Sequence, residues 1–177
     1  VLCVSVKGTG NAFRNLTNRM EEAIGDCTNL HVMYPGLVYG FLHLLKANRE
    51  GQAGIQVNDV CLLSTGEPVA SVVRYHDLLV DLAGRRFIRN DFTRYEAVAM
   101  ILVEPTPNRL ATVLSSFPSE SSPLRQDSFF ETLYRTYDLR YPYRGVQVKL
   151  AQRVAWDPDS PAIRELNDAF GRRLPGI

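Results

Sequence analysis

Val1-Leu2-Cys3-Val4-Ser5-Val6-Lys7, followed by Gly8-Thr9-Gly10, is the stretch on which the fold turns. Apolar residues dominate it up to Lys7, as in a strand buried within a sheet, and the glycines at 8 and 10 let the chain turn tightly. The period then changes. Phe13, Leu16, Met20, Ala23, Ile24, Cys27 and Leu30 recur at spacings of three and four, which predicts a helix over 11–30 that buries one face. Pro35-Gly36 punctuates, and the run from Leu37 to Leu45 reads as a second buried strand. Strand, helix and strand in this order make a βαβ unit, expected to be right-handed, and place the chain in the α/β class.

Residues 47–57 are polar and contain glycine, so they read as a loop. A second amphipathic helix is expected from Val69 to Leu82, with Val72, Val73, Leu78, Leu79 and Leu82 inward and Gly84 closing it. Tyr95 to Val103 is a third apolar run, stopped by Pro105 and Pro107. A Ser/Pro-rich loop over 117–123 leads into a helix over 125–137 that buries Phe129, Phe130 and Leu133. Val146, Val148 and Leu150 alternate with Gln147 and Lys149 in the manner of a half-exposed strand. Ser160 followed by Pro161 marks the start of a last helix running to about Gly171. With no internal repeat, the expectation is one domain over 1–177. Because a strand this apolar needs neighbours, the chain is further expected to be the C-terminal portion of a longer protein.

Composition narrows the function classes. Hydrophobic residues make up 45% of the chain, enough for a core, and 20 Lys+Arg against 19 Asp+Glu give a formal charge of +1, which excludes a globally basic nucleic-acid binder. Any basic face has to be local. Cys3, Cys27 and Cys61 stand in apolar surroundings without a CxxC pair and read as reduced, buried thiols, pointing to a cytoplasmic location. His31, His43 and His76 lack metal-ligand spacing. No apolar run approaches the roughly 20 residues of a membrane span, so no membrane partner is expected.

Chemistry enters on the first helix. Arg14, Asn18, Glu21 and Gly25 recur at i, i+4, i+7 and i+11, in a narrow arc read as flanking the apolar face. A cleft beside the C-terminal end of a sheet strand is where α/β proteins place ligands, so Lys7 and Glu21 are expected to converge there. Phosphodiester hydrolysis uses such parts: carboxylates hold Mg²⁺, which polarises the phosphate and acidifies a water, and an ammonium group offsets developing charge. Two basic-aromatic segments, Arg85 to Tyr95 and Tyr134 to Arg144, offer Arg for phosphates and Tyr for bases or sugars, or alternatively an interface.

Val4-Ser5-Val6-Lys7, then thirteen residues, then Glu21, resembles the Ser-x-Lys-x(12–13)-Glu variant of the PD-(D/E)XK nuclease superfamily, found among type II restriction endonucleases. The resemblance implies a restriction-endonuclease-like mixed sheet flanked by helices. It also implies a Mg²⁺-dependent endonuclease acting on double-stranded DNA, expected to be a homodimer because two symmetric strands favour two sites. Under it Lys7 is the catalytic lysine, Ser5 the vacated acidic position and Glu21 the relocated metal-binding carboxylate. Asn15, Asn18 and Arg19, with Arg14 on the helix stripe, become candidates for DNA contact. The family's metal-binding aspartate lies on an earlier strand, which would precede Val1. Two rivals stand beside this reading: a noncatalytic DNA-binding or assembly module on the same scaffold, and an enzyme using Gly8-Thr9-Gly10 to hold a phosphorylated small molecule.

Overall fold

Strands and helices alternate along the chain: β1 (Leu2–Thr9), α1 (Leu16–Met33), β2 (Val38–Lys46), α2 (Ala70–Asp81), β3 (Ala97–Val103) and α3 (Gln126–Arg140). The computed structural model describes residues 1–9, 16–89, 91–105, 112–144 and 146. All six elements belong to one compact unit, Val1–Pro142; Tyr143–Ile177 forms another. The strand expected over 146–150 (apart from Val146 itself) and the helix expected over 161–171 lie outside the described residues.

The strands form a sheet in the order β1-β2-β3. Leu2 pairs with Val38 and Thr9 with Leu45 across β1 and β2, and Gly40 pairs with Ala97 and Lys46 with Val103 across β2 and β3, all in parallel. Where a mixed sheet is expected, the three strands pair in parallel throughout, and antiparallel contact with β3 among the described residues is an isolated bridge between Val103 and Val113. Each connection between neighbouring strands carries a helix, the crossover that parallel pairing requires.

Strand alternation divides the core into two layers. Tyr39, Phe41 and Leu45 of β2 and Val98, Met100 and Leu102 of β3 point to the face covered by Ala23 and Cys27 of α1 and Val72, Tyr75 and Leu79 of α2. Val38, Ala97 and Ala99 point to the other face, where Phe129 and Leu133 of α3 cover them, with Leu2, Val4 and Leu42 alongside. Helices on both faces explain why β2 is apolar nearly throughout. Gly40 sits directly beneath α3: a Cβ there would lie 2.7 Å from the Phe129 ring and 2.8 Å from Leu133. With Ala97 and Ala99 beside it, this glycine makes a shallow bed on which the helix can rest.

Helix faces depart from expectation where apolar residues crowd next to the true stripe. In α2 the buried positions are Val72, Tyr75 and Leu79, whereas Val73 and Leu78 are 39% and 36% exposed. Positions 72, 75 and 79 share one face, and the two displaced residues each lie one step round from it. Phe130 likewise is 51% exposed beside buried Phe129, and Ile24 of α1 is 36% exposed. Gly84 closes α2 as expected, in the left-handed region at φ 87°.

Candidate functional site

Lys7 lies near the end of β1, paired in register with His43 of β2. Alternation sends Cys3, Ser5 and Lys7 toward α1, and the helix answers with charge. Lys7 Nζ is 2.6 Å from Glu22 Oε1 and 3.6 Å from Asp26 Oδ2, while Arg19 Nη1 donates to Glu22 Oε2 at 3.0 Å. Arg19, Glu22 and Asp26 follow one another at i, i+3 and i+7, each one residue before the inward-facing Met20, Ala23 and Cys27, so they share one flank of the helix.

The group all reaches water. The Lys7, Glu22 and Asp26 side chains are 30%, 40% and 45% exposed. Even so, the hydrogen bond from Lys7, reinforced by Arg19, holds the Glu22 carboxyl below its ordinary range. Reciprocally, the bond to Glu22 outweighs partial desolvation and raises the Lys7 ammonium. Lys7 is therefore a firmly protonated cation at neutral pH, able to hydrogen-bond an anion but not to take a proton from water.

Glu22, not Glu21, meets the lysine. The placement of Asn18, Glu21 and Gly25 as a stripe beside the core is corrected. Taken over the inward-packed Met20, Ala23, Cys27 and Leu30, at about 100° per residue, the core direction leaves Glu21 roughly 140° away on one side and Glu22 roughly 120° away on the other. Asn18, Arg19 and Glu21 are exposed, and nothing lies within 4 Å of a Cβ placed on Gly25. Ser5 stands two residues before Lys7 on the same face, half-buried, and its hydroxyl hydrogen-bonds the Tyr39 phenol, whose pKa burial raises overall. Arg14 and Asn15 lie outside the described residues.

No family model, curated protein or solved structure matches this chain. Among the described residues no helix is long and apolar enough to cross a membrane, and no group of three or more His, Cys, Asp or Glu is gathered as a ready-made metal cage.

Several polar residues sit in places that their spacing in the chain does not announce. His43, next to Lys7 in register, is buried and kept neutral: burial lowers its pKa to about 4, and its Nε2 stands 3.1 Å from the Tyr75 hydroxyl. His76 lies between Asp77 Oδ1 at 3.0 Å and Ser122 Oγ at 2.7 Å. Ser122 Oγ also accepts the Leu124 N–H at 3.1 Å, so this trio fastens the Ser/Pro loop to α2.

At the opposite, N-terminal end of the sheet, Glu96 is the hub of a buried ionic cluster. Its Oε1 receives Arg85 Nη1 and Arg140 Nη1, both at 2.8 Å, and its Oε2 accepts the Tyr39 N–H at 2.8 Å with His31 Nε2 3.4 Å away. Arg85 also donates to the carbonyls of Pro35 at 3.0 Å and Ile88 at 2.7 Å, and Arg140 to that of Leu37 at 2.6 Å. Burial alone would raise the Glu96 carboxyl, but the His31 ring, the Tyr39 N–H and Arg140 outweigh it and hold the group below its ordinary value. The one sequence signal was a carboxylate at the head of an apolar strand.

Proposed function

We propose that this chain carries the lysine-and-helix-carboxylate part of a Mg²⁺-dependent endonuclease that hydrolyses phosphodiester bonds of double-stranded DNA, on a restriction-endonuclease-like scaffold and as a homodimer. The observation that carries the reading is the convergence of Lys7 with α1 carboxylates at 2.6 and 3.6 Å on one side of a parallel sheet. A βαβ unit with a lysine late on its first strand and carboxylates on its helix supports a site near the strand ends, where α/β folds put ligands.

The donor set suits a hard divalent ion in kind. Glu22 and Asp26 already direct carboxylate oxygens at one cation, and Mg²⁺ is commonly held by one or two carboxylates with water and substrate phosphate filling the rest. Glu22 or Glu21, with Asp26, would hold it from this chain. A bound metal would polarise the phosphate and acidify the attacking water. Lys7, held protonated, would stabilise the charge that grows on the phosphate oxygens. Ser5 leaves the preceding inward position free of charge, and Arg19 would keep Glu22 ionised and oriented. Arg14 and Asn15, which precede α1 in sequence, and Asn18 within it would meet the DNA backbone.

A noncatalytic DNA-binding module has its own support: Lys7 is already engaged by Glu22, so the group is self-neutralised as it stands. Plasmid cleavage separates the two. With Mg²⁺ the full chain is expected to nick or linearise supercoiled DNA, and Lys7→Ala to slow this by about 10²–10³, the usual scale for removing one charge-stabilising donor. Comparing Glu21→Gln with Glu22→Gln tells which carboxylate the reaction uses. A wild-type chain inert with Mg²⁺ and Mn²⁺, or a folded Lys7→Ala variant that cuts normally, would end the nuclease reading.

A further inference from the structure

Two segments far apart in sequence meet in one cleft. Arg85, Arg86 and Arg89, with Phe87 and Ile88, line one wall, and Arg135, Leu139 and Arg140 of α3 line the other, around a volume of about 780 Å³. Such a volume lies in the range of small-molecule clefts, about 300–1,000 Å³. The cleft adjoins the N-terminal ends of the strands, away from Lys7, because Arg85 and Arg140 are the two arginines bound to Glu96 and to the carbonyls preceding β2. Five arginines thus line the cleft, and two of them, Arg85 and Arg140, bind Glu96.

The arginines divide into two kinds. Arg85 and Arg140 are fixed in place, their side chains 0% and 5% exposed. Arg140 spends Nη1 on Glu96 and two carbonyls, yet its Nη2 is buried with no hydrogen-bond partner. A buried guanidinium nitrogen without an acceptor is costly, and it leaves Arg140 with a donor that no described group satisfies. Arg86, Arg89 and Arg135 are exposed, and none has a carboxylate partner among the described residues. Beside them Phe87 and Leu139, 67% and 79% exposed, offer apolar faces without cover.

We propose that this cleft is a nucleotide-binding site, distinct from the Lys7 group: the arginines take the phosphate, and Phe87 and Leu139 take the base. Guanidinium forks match phosphate oxygens two at a time, and an exposed aromatic ring beside them is the arrangement on which bases stack. A chain of near-zero net charge that gathers unpaired arginines on one concave surface has the local electropositive field needed to draw such a ligand. The nucleotide can be a free monophosphate or one unit of a strand, since both present the same phosphate and base. The proposal does not rest on the nuclease reading, and its test needs neither metal nor cleavage.

The test is calorimetric titration of the full chain, in Lys7→Ala background and without divalent ions, with deoxyadenosine 5′-monophosphate, deoxyadenosine, inorganic phosphate and a short oligothymidylate. The monophosphate should bind at least tenfold more tightly than the nucleoside. The triple variant Arg86→Ala, Arg89→Ala, Arg135→Ala, all at exposed positions, should weaken it at least tenfold, and Arg74→Ala, on the exposed side of α2, should not. Phe87→Ala should weaken the nucleotide severalfold while leaving inorganic phosphate unchanged. If the oligothymidylate alone binds, with the same sensitivity to the triple variant, the ligand is a strand segment. Absence of binding by every phosphate compound overturns the site, as does a triple variant that binds normally or an Arg74→Ala variant that loses as much as the triple.

Discussion

The two charged clusters of this molecule stand at opposite ends of one sheet and use the same chemistry under different dielectric conditions. Around Glu96 every side chain is nearly sealed from water, and the acid, two arginines and a histidine are held by further bonds to backbone groups. Around Lys7 the partners are about a third to a half exposed and, among the described residues, are held by one another. A buried ion pair is difficult to disturb because removing one partner strands the others in a low dielectric. An exposed one is screened by water and salt and contributes little to stability, so its members are free to exchange partners for an arriving ligand. The first cluster is sealed inside the fold; the second lies open to solvent.

The sharpest way to break this contrast is at Glu96. Glu96→Gln leaves Arg85 and Arg140 as buried cations without a counter-charge and is expected to lose about 3–5 kcal/mol in urea unfolding. Because the folded Glu96 carboxyl is held below its unfolded value, its stabilisation is complete above the ordinary carboxylate range and disappears as pH falls through the folded value. The acid limb of the wild-type stability curve should therefore be steeper than that of the variant. An acid limb of equal slope in both would show that the cluster is not tuned as described.

A smaller effect is expected one strand away from Lys7. His43 is neutral in the fold because burial lowers its pKa from 6.5 to about 4, so protons bind the unfolded chain first. Its contribution is whole above pH 6.5 and is lost progressively as pH falls toward about 4, up to roughly 3 kcal/mol. Thermal unfolding across this window checks it: His43→Leu should flatten the decline that begins near pH 6.5, which is separate from the Glu96 limb at lower pH. The same register row then holds an ammonium raised by its bond to Glu22 and an imidazole lowered by burial.

The smallest change in stability is expected at Lys7 itself. Lys7→Ala, Glu22→Ala and the double variant should unfold at the same urea concentration as wild type, while a charge swap, Lys7→Glu with Glu22→Lys, should restore the fold equally well. A clear coupling between the two in unfolding would move this group to the same side of the comparison as Glu96.

Most of the architecture was legible in the sequence. The runs from Leu37 and from Tyr95 became β2 and β3, and the second helix expected over Val69 to Leu82 is found at Ala70–Asp81. Failures occur where apolar character and helical geometry disagree. Ile24, Val73, Leu78 and Phe130 are apolar enough to be read as core, but each lies one step from residues that occupy the buried stripe better. On α1 the side chains that meet Lys7 are set by how the helix lies against β1, which the apolar stripe alone does not give: with or without Ile24 the inward direction moves by only about 20°. The Glu96 cluster could not be assembled from sequence at all, because Arg85 and Arg140 lie 11 and 44 residues from the acid they serve. The convergence of the two basic segments has the same origin: each was visible alone, and only the packing of α3 on the sheet joins them.

That packing gives Gly40 a reach beyond its own neighbourhood. α3 bears Phe129 and Leu133 over this residue near one end and Arg135 and Arg140 toward the other. A single added methyl group would act as a shim under a lever, lifting the near end and shifting the far arginines relative to Arg86 and Arg89. The width of a charged mouth is thus gauged by an atom the protein leaves out.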